Sequence, residues 1–455
     1  METNNNQCSY FADPSEYSTI GGALAIRQEM ASYTIGPEDV CLWYSDTHLR
    51  LPELRKTLQR QDFPRATRTL LEWIHRYFVQ CENFPPGKFP NQECVRQLIA
   101  EFVFYRNSGT SRVQQKLSAI QELRLLEELC NHFQISKNLI TRHNVFDAFF
   151  GCKAGPVQIG DEHRTGALSK LVSMAVAVNC IPVLDCAAVL IHNQGASEAT
   201  LALTQSIVQD FCILIPDAKA LLKDLVDSSP LFVSRFMACL AALYDVDRDP
   251  KKKNLPPVSL LEVIASWINK RPLIFIEHLL NPPPGIPSFH SGGQDQGSSR
   301  LQGPFPGLIK ACVTSPLVLN RPISKTDVTT HREEQSTEHH LYSKLHLGIL
   351  QALLATQNRQ KQRSSLPSKV KLDELVSVRD IEGAINSLQR LLNGGHVVDE
   401  EVIHISLDRL AQVVQVAMST GALASSKSTL KTAFDGLPNN QLLSLVLDHE
   451  GAIPS

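Results

Sequence analysis

From Leu51 onward, apolar positions recur every three to four residues, the spacing that lines one face of an α-helix. Leu70, Leu71, Ile74, Tyr77, Phe78 and Cys81 share one such face, which ends at the breaker Phe84–Pro90. Val95, Leu98, Ile99 and Phe102 open a second stripe, and Ile120, Leu123, Leu126, Leu129, Cys130 and Phe133 a third. In the middle of the chain Pro182, Pro216, Pro230, Pro257 and Pro272 each precede a periodic apolar run. Proline suits a helix start because the first N–H has no partner within the helix, and Ser229, just before Pro230, is a candidate N-cap. Pro216 to Pro257 is a step of 41 residues and Pro230 to Pro272 one of 42. A two-helix unit repeating at about 40–47 residues is the period of HEAT- or armadillo-like stacks. The expected fold is therefore all-α, either such a stack or an irregular helical pile with equally short connections.

The pattern breaks twice. Residues 1–50 show no sustained period and are expected to form a poorly ordered extension. Residues 282–339 are rich in Pro, Gly and Ser and then in charged residues, and read as a flexible linker with a short helix near 308–319. These breaks predict an N-terminal helical domain over 51–281, a smaller C-terminal helical block over 340–448 and a tail over 449–455. In that block Tyr342, Leu345, Ile349 and Leu353 form a stripe, as do Ile381, Ile385, Leu388 and Leu392. Ile403, Leu407, Leu410, Val414 and Ala417 form another, and a last helix follows Pro438. Asn393-Gly394-Gly395 offers glycine for the left-handed position after a helix.

Composition supports a folded chain: 43% of the 455 residues are hydrophobic and 20% charged, enough for a core. The formal charge is −2, without the cationic excess of a dedicated nucleic-acid binder. Eleven cysteines, an odd number with wide spacings and no C-x-x-C, argue for a reducing compartment rather than a disulfide framework. The first residues lack the charged and apolar regions of a signal peptide. The most membrane-like window, Leu168–Ile191, is interrupted by Lys170, Asn179, Pro182 and Asp185, and is expected to be two buried helices split at Asn179–Pro182.

No constellation of residues carries chemistry convincingly. Asp245, Asp247 and Asp249 resemble the start of an EF-hand, but Pro250 and Pro256 stand where that loop needs Gly and Glu. A solvated interhelical turn is the better expectation. His331, Glu333, Glu334, Glu338, His339 and His340 lack zinc-ligand spacing and lie at the end of the linker. Cys180 and Cys186 have no histidine at helical spacing to activate a thiolate, since His192 is six residues on. Phosphate-loop, dinucleotide and nucleophile-elbow motifs are absent. The expectation is a non-enzyme with no catalytic, cofactor-binding or metal-binding residues, a scaffold or adaptor acting through helix faces. The alternative is a nucleic-acid-binding helical repeat using Lys251–Lys253 with Lys270 and Arg271.

Several segments, in order, resemble the family of the fifteenth subunit of the Integrator complex. They are Ile120–Gln134 (IQELRLLEELCNHFQ), Leu168–Ala188 (LSKLVSMAVAVNCIPVLDCAA), Leu341–Leu354 (LYSKLHLGILQALL) and Ile405–Leu423 (ISLDRLAQVVQVAMSTGAL), with shorter echoes at Ala242–Asp245, Gly307–Leu317 and Leu437–Val446. The resemblance runs from about Leu51 to Leu447 and implies a nuclear, non-catalytic, all-helical subunit. It implies work in small nuclear RNA 3′-end processing and attenuation of RNA polymerase II transcription, connecting the module of subunits ten, thirteen and fourteen to the rest of the assembly. Other Integrator subunits are then the partners, with no small-molecule substrate, cofactor or membrane and no direct contact to nucleic acid.

Overall fold

The computed structural model describes residues 51–81, 93–108, 111–114, 117–151, 161–248, 255–277, 303–320, 330–362, 375–394 and 398–448. The N-terminal extension, Lys251–Lys253, most of the Pro/Gly/Ser-rich segment and the tail lie outside these residues. The fold is all-α, with one two-stranded hairpin among the described residues. Two compact units divide between His132 and Phe133. The sequence pattern instead suggests a boundary across 282–339.

The first unit holds α1 (51–60), α2 (Phe63–Cys81), α3 (Glu93–Ile99) running into a π turn (Ala100–Phe104), the antiparallel pair β1 (Tyr105–Ser108) and β2 (Ser111–Gln114), and most of α4 (Ala119–Ile135). The α2 stripe is buried at every predicted position. The α4 stripe is not: Ile120 and Leu123 are exposed, while Leu125, Leu126, Leu129, Cys130 and Phe133 are buried. Steps of three residues rotate about 300° each on a helix of 3.6 residues per turn. A stripe spaced 120, 123, 126, 129 therefore drifts to the opposite face within three steps. Arg55–Glu101 and Arg68–Glu128, each at 2.8 Å, tie α1 to the π turn and α2 to α4.

The second unit contains α5 (Leu139–Phe150), α6 (Asp161–Ala177), α7 (Ile181–Gln194) and α8 (Glu198–Val208), which runs into a π turn (Gln209–Leu214). A 3-10 turn (Pro216–Ala218) leads to α9 (Lys219–Ser228), α10 (Pro230–Leu243), α11 (Val258–Lys270) and a second 3-10 turn (Pro272–Ile276). Then follow α12 (Pro304–Leu319), α13 (Thr330–Gln362), α14 (Val378–Leu392), α15 (Glu400–Ser419), α16 (Lys427–Phe434) and α17 (Gln441–Asp448). The prolines mark starts as expected: Pro182 and Pro230 lie in first turns, Pro257 precedes α11, and Pro216 and Pro272 open the 3-10 turns. Ser229 occupies the N-cap of α10, but its hydroxyl makes no capping bond.

The membrane-like window splits where predicted. Asn179 adopts φ 52°, and Cys180 N–H bonds the Ala175 carbonyl at 2.8 Å, a left-handed helix stop with asparagine in the usual glycine place. Among the described residues no helix is long and apolar enough to cross a membrane. The end of α14 departs from expectation. Gly394 is not among the positive-φ residues, and Asn393 closes the helix in right-handed geometry through Gln389.

The largest correction concerns the linker. Its short helix is α12, 16 residues long and almost entirely buried, with Phe305, Ile309, Cys312, Val313 and Leu319 each at most 1% exposed. It packs against α10 on one side and α13, α14 and α15 on the others. Its charged end belongs to α13, which begins at Thr330. The C-terminal helices are thus not a separate smaller block but share one unit with α5–α11. The apolar run of α12 can be buried only by helices on both sides of it in the chain, and this couples the two halves.

Candidate functional site

The aspartates weighed as a calcium loop form an ionic hub instead. The turn after α10 presents Asp245 and Asp247 to the flank of α12, where Lys310 bridges both, at 2.7 Å to Asp245 and 2.5 Å to Asp247. Arg390 of α14 reaches the second Asp247 oxygen at 2.9 Å, and Ser387 donates to Asp247 at 2.7 Å. Burial acts to raise the Asp247 pKa, but Lys310, Ser387 and Arg390 outweigh it and hold the carboxyl below its ordinary range. The expected solvated turn is therefore a docked one; three positive or donor groups from two helices converge on it. Asp249 lies outside the described residues.

A second polar centre is wholly interior. Arg409 on α15 is 7% exposed and donates to the Cys312 carbonyl and Ser315 hydroxyl of α12, both at 2.8 Å, and to the Ser343 hydroxyl of α13 at 2.9 Å. Burial lowers its pKa; among the described residues its hydrogen-bond partners are neutral oxygens. Sequence reasoning passed over Arg409. The predicted stripe gave no signal for it: at about 100° per residue Arg409 stands roughly 100–160° around the helix from Leu407, Leu410 and Val414. Nothing in the sequence signals Asp247 and Ser387 as partners 140 positions apart.

Of the eight described cysteines, seven are buried and Cys94 is partly exposed. Burial raises the Cys186 thiol far above its ordinary pKa, and pushes Cys312 up to about 12 and Cys212 and Cys239 to about 11. These thiols stay protonated and behave as small apolar groups. Several histidines are held neutral: burial lowers His143 to about 4, with Arg142 adding to the shift, and lowers His132 to about 4 with help from His75. His346, lowered by burial, exchanges a 2.8 Å hydrogen bond with Gln412.

The His/Glu segment lies in the first turns of α13, and the side chains of 330–334 are outside the described set. Among the described residues no group of three or more His, Cys, Asp or Glu is placed to hold a metal ion. Two of the five residues of the candidate nucleic-acid patch are already committed: Lys270 lies 3.4 Å from Asp224 and 3.8 Å from Asp227, and Arg271 pairs with buried Glu277 at 3.1 Å. The polar chemistry described here joins helix to helix. The large apolar side chains exposed among the described residues include Ile213, Leu214 and Ile215 after α8, and Leu347 and Leu354 on α13.

Residues 52–439 match the family model described as Integrator complex subunit 15. The human protein of that name is 34% identical over 409 residues, covering 87% of both chains. The zebrafish protein (Danio rerio) is 30% identical over 403 residues, covering 87% of this chain and 81% of its own. The Drosophila melanogaster protein is 26% identical over 369 residues, covering 78% of this chain and 88% of its own.

Proposed function

The chain belongs to the Integrator complex subunit 15 family, and from that premise we propose that it is a non-catalytic structural adaptor of the Integrator complex in the nucleus. It joins the module of subunits ten, thirteen and fourteen to the rest of the assembly. There it supports small nuclear RNA 3′-end processing and attenuation of RNA polymerase II transcription. The observation that carries the reading is the family match over 52–439, which takes in nearly every described helix. Two structural features favour an adaptor over an enzyme. Burial holds the thiols of Cys186 and Cys312 and the imidazole of His143 in their uncharged forms. The charged clusters are consumed in holding helices together.

The nucleic-acid reading gains no support, because Lys270 and Arg271 are engaged by carboxylates. Affinity purification of the tagged full chain from nuclear extract, with mass spectrometry of what accompanies it, tests the proposal. Near-stoichiometric recovery of Integrator subunits, led by ten, thirteen and fourteen, is expected. Recovery of none from an intact extract overturns it.

A further inference from the structure

The sequence holds one Asn-Gly pair, Asn393–Gly394, at the end of α14. Such a pair is open to a reaction that needs no enzyme. The backbone nitrogen after an asparagine can attack the side-chain carbonyl carbon, Cγ, when no side chain on the following residue obstructs it, and glycine has none. In a folded chain the reaction also requires that nitrogen to be released from hydrogen bonding and the peptide to be able to turn.

The end of α14 meets both requirements. Asn393 is the C-cap, with φ −81° and ψ 0°, and its own N–H bonds back into the helix, to the Gln389 carbonyl at 2.9 Å. Gly394 lies past the helix end. Among the described residues neither its N–H nor the Asn393 side-chain amide has a hydrogen-bond partner. Gly394 does not take the left-handed conformation in which the residue after a helix returns its N–H to an upstream carbonyl. Rotation about ψ of Asn393 therefore breaks no hydrogen bond of that peptide nitrogen. Both residues are exposed, so water and hydroxide reach them. Asn386, earlier on the same helix, is exposed too, but the nitrogen after it belongs to Ser387 in mid-helix, where each N–H bonds four residues back.

We propose that Asn393 is a site of spontaneous deamidation in the folded protein. The Gly394 nitrogen, deprotonated by hydroxide, forms a bond to Cγ. The bond from Cγ to the side-chain nitrogen breaks, and ammonia leaves with a proton taken from water, closing a succinimide ring. Water then opens the ring. Attack at Cγ gives aspartate, and attack at the Asn393 main-chain carbonyl gives isoaspartate, in which the chain runs through the former side-chain carbon. Either product adds a negative charge at the C-terminal end of α14, where the helix dipole disfavours one, three residues from Arg390 of the ionic hub.

The test incubates the purified full chain at neutral pH and follows its tryptic peptides by mass. Cleavage at Arg379, Arg390 and Arg409 places Asn386 and Asn393 in separate peptides, each with no other asparagine. Peptide Leu391–Arg409 is expected to gain about 1 Da at least about tenfold faster than Asp380–Arg390, whose Asn386 is protected by the helix. The gain should resolve on chromatography into aspartyl and isoaspartyl forms of equal mass, and should quicken as the pH is raised. Asn393→Gln should abolish it, because glutamine must close a larger and slower ring. Gly394→Ala should slow it by about tenfold, since a Cβ then hinders the attack. Conversion at Asn393 no faster than at Asn386 overturns the inference. So does a single aspartyl product, which marks direct hydrolysis without ring closure. A native rate more than about tenfold below that of the urea-unfolded chain also overturns it, because the folded helix end would then protect Asn393.

Discussion

Around α6, α7 and α8 the interior is built of hydrocarbon: Leu171, Val172, Ala175, Leu184, Ala187, Leu203 and Ile207 are all fully buried. The buried hydroxyls there are satisfied locally, Thr204 by the Thr200 carbonyl and Thr200 by that of Gly195, each at 2.7 Å. Around α12, α14 and α15 the same unit is held differently. An equally apolar core is crossed by Arg409 and flanked by the Asp245–Asp247 hub. Hydrophobic burial is strong but non-directional, so it drives helices together without fixing their register. The hydrogen bonds of Arg409 and Asp247 have fixed directions. They select one arrangement where segments distant in the chain must meet. The second region contains the join between the halves of the chain, and there the directional contacts concentrate.

The comparison can be broken most severely at its apolar side. Leu171→Asp would bury an unpaired charge at a site with no partner, a loss of about 5 kcal/mol or more and comparable to the whole stability of a domain. Thermal denaturation is expected to show no cooperative transition, and a parental midpoint would remove Leu171 from the core. At the polar side, Arg409→Ala strips three donors from oxygens on α12 and α13 and leaves a cavity, costing about 4 kcal/mol. Chemical denaturation should register that loss. A loss below about 1 kcal/mol would mean that α12 and α13 are held by burial alone.

Acidification probes the apolar region through His143. Its folded pKa of about 4 lies below the ordinary 6.5, so the unfolded chain takes up the proton first. Stability is then constant above about pH 6.5 and falls toward pH 4, by up to about 3 kcal/mol for this residue. His143→Gln should flatten that part of the pH profile, and an unchanged slope would assign the loss to other groups. The smallest effect is expected at the hub. Asp247→Asn keeps a bond to Ser387 but loses the pairs with Lys310 and Arg390, a cost of about 1–2 kcal/mol. That cost should shrink in high salt, whereas the Leu171 and Arg409 effects should not.

The contrast also governs how much the sequence revealed. The faces of α2, α13 and α15 were legible because burial imposes a 3.6-residue period on the residues themselves. The split at Asn179–Pro182 was legible because proline and a left-handed asparagine are local signals. The α4 stripe misled because its regular spacing of three resembles a helical face and is not one. No catalytic group was foreseen in the sequence.

The sequence alone determined that this chain is helical, where most of its helices lie, which faces they bury and, through ordered resemblance, which family it belongs to. All of these depend on residues a few positions apart or on the order of segments. The tertiary structure decided that α12 is the centre of a unit rather than an island in a linker. It decided that an apparent calcium loop is an ionic clamp and that Arg409 is an interior tie. Each depends on groups dozens to more than a hundred residues apart, and no local periodicity encodes which distant carboxylate, guanidinium or carbonyl a folded chain will bring within 3 Å.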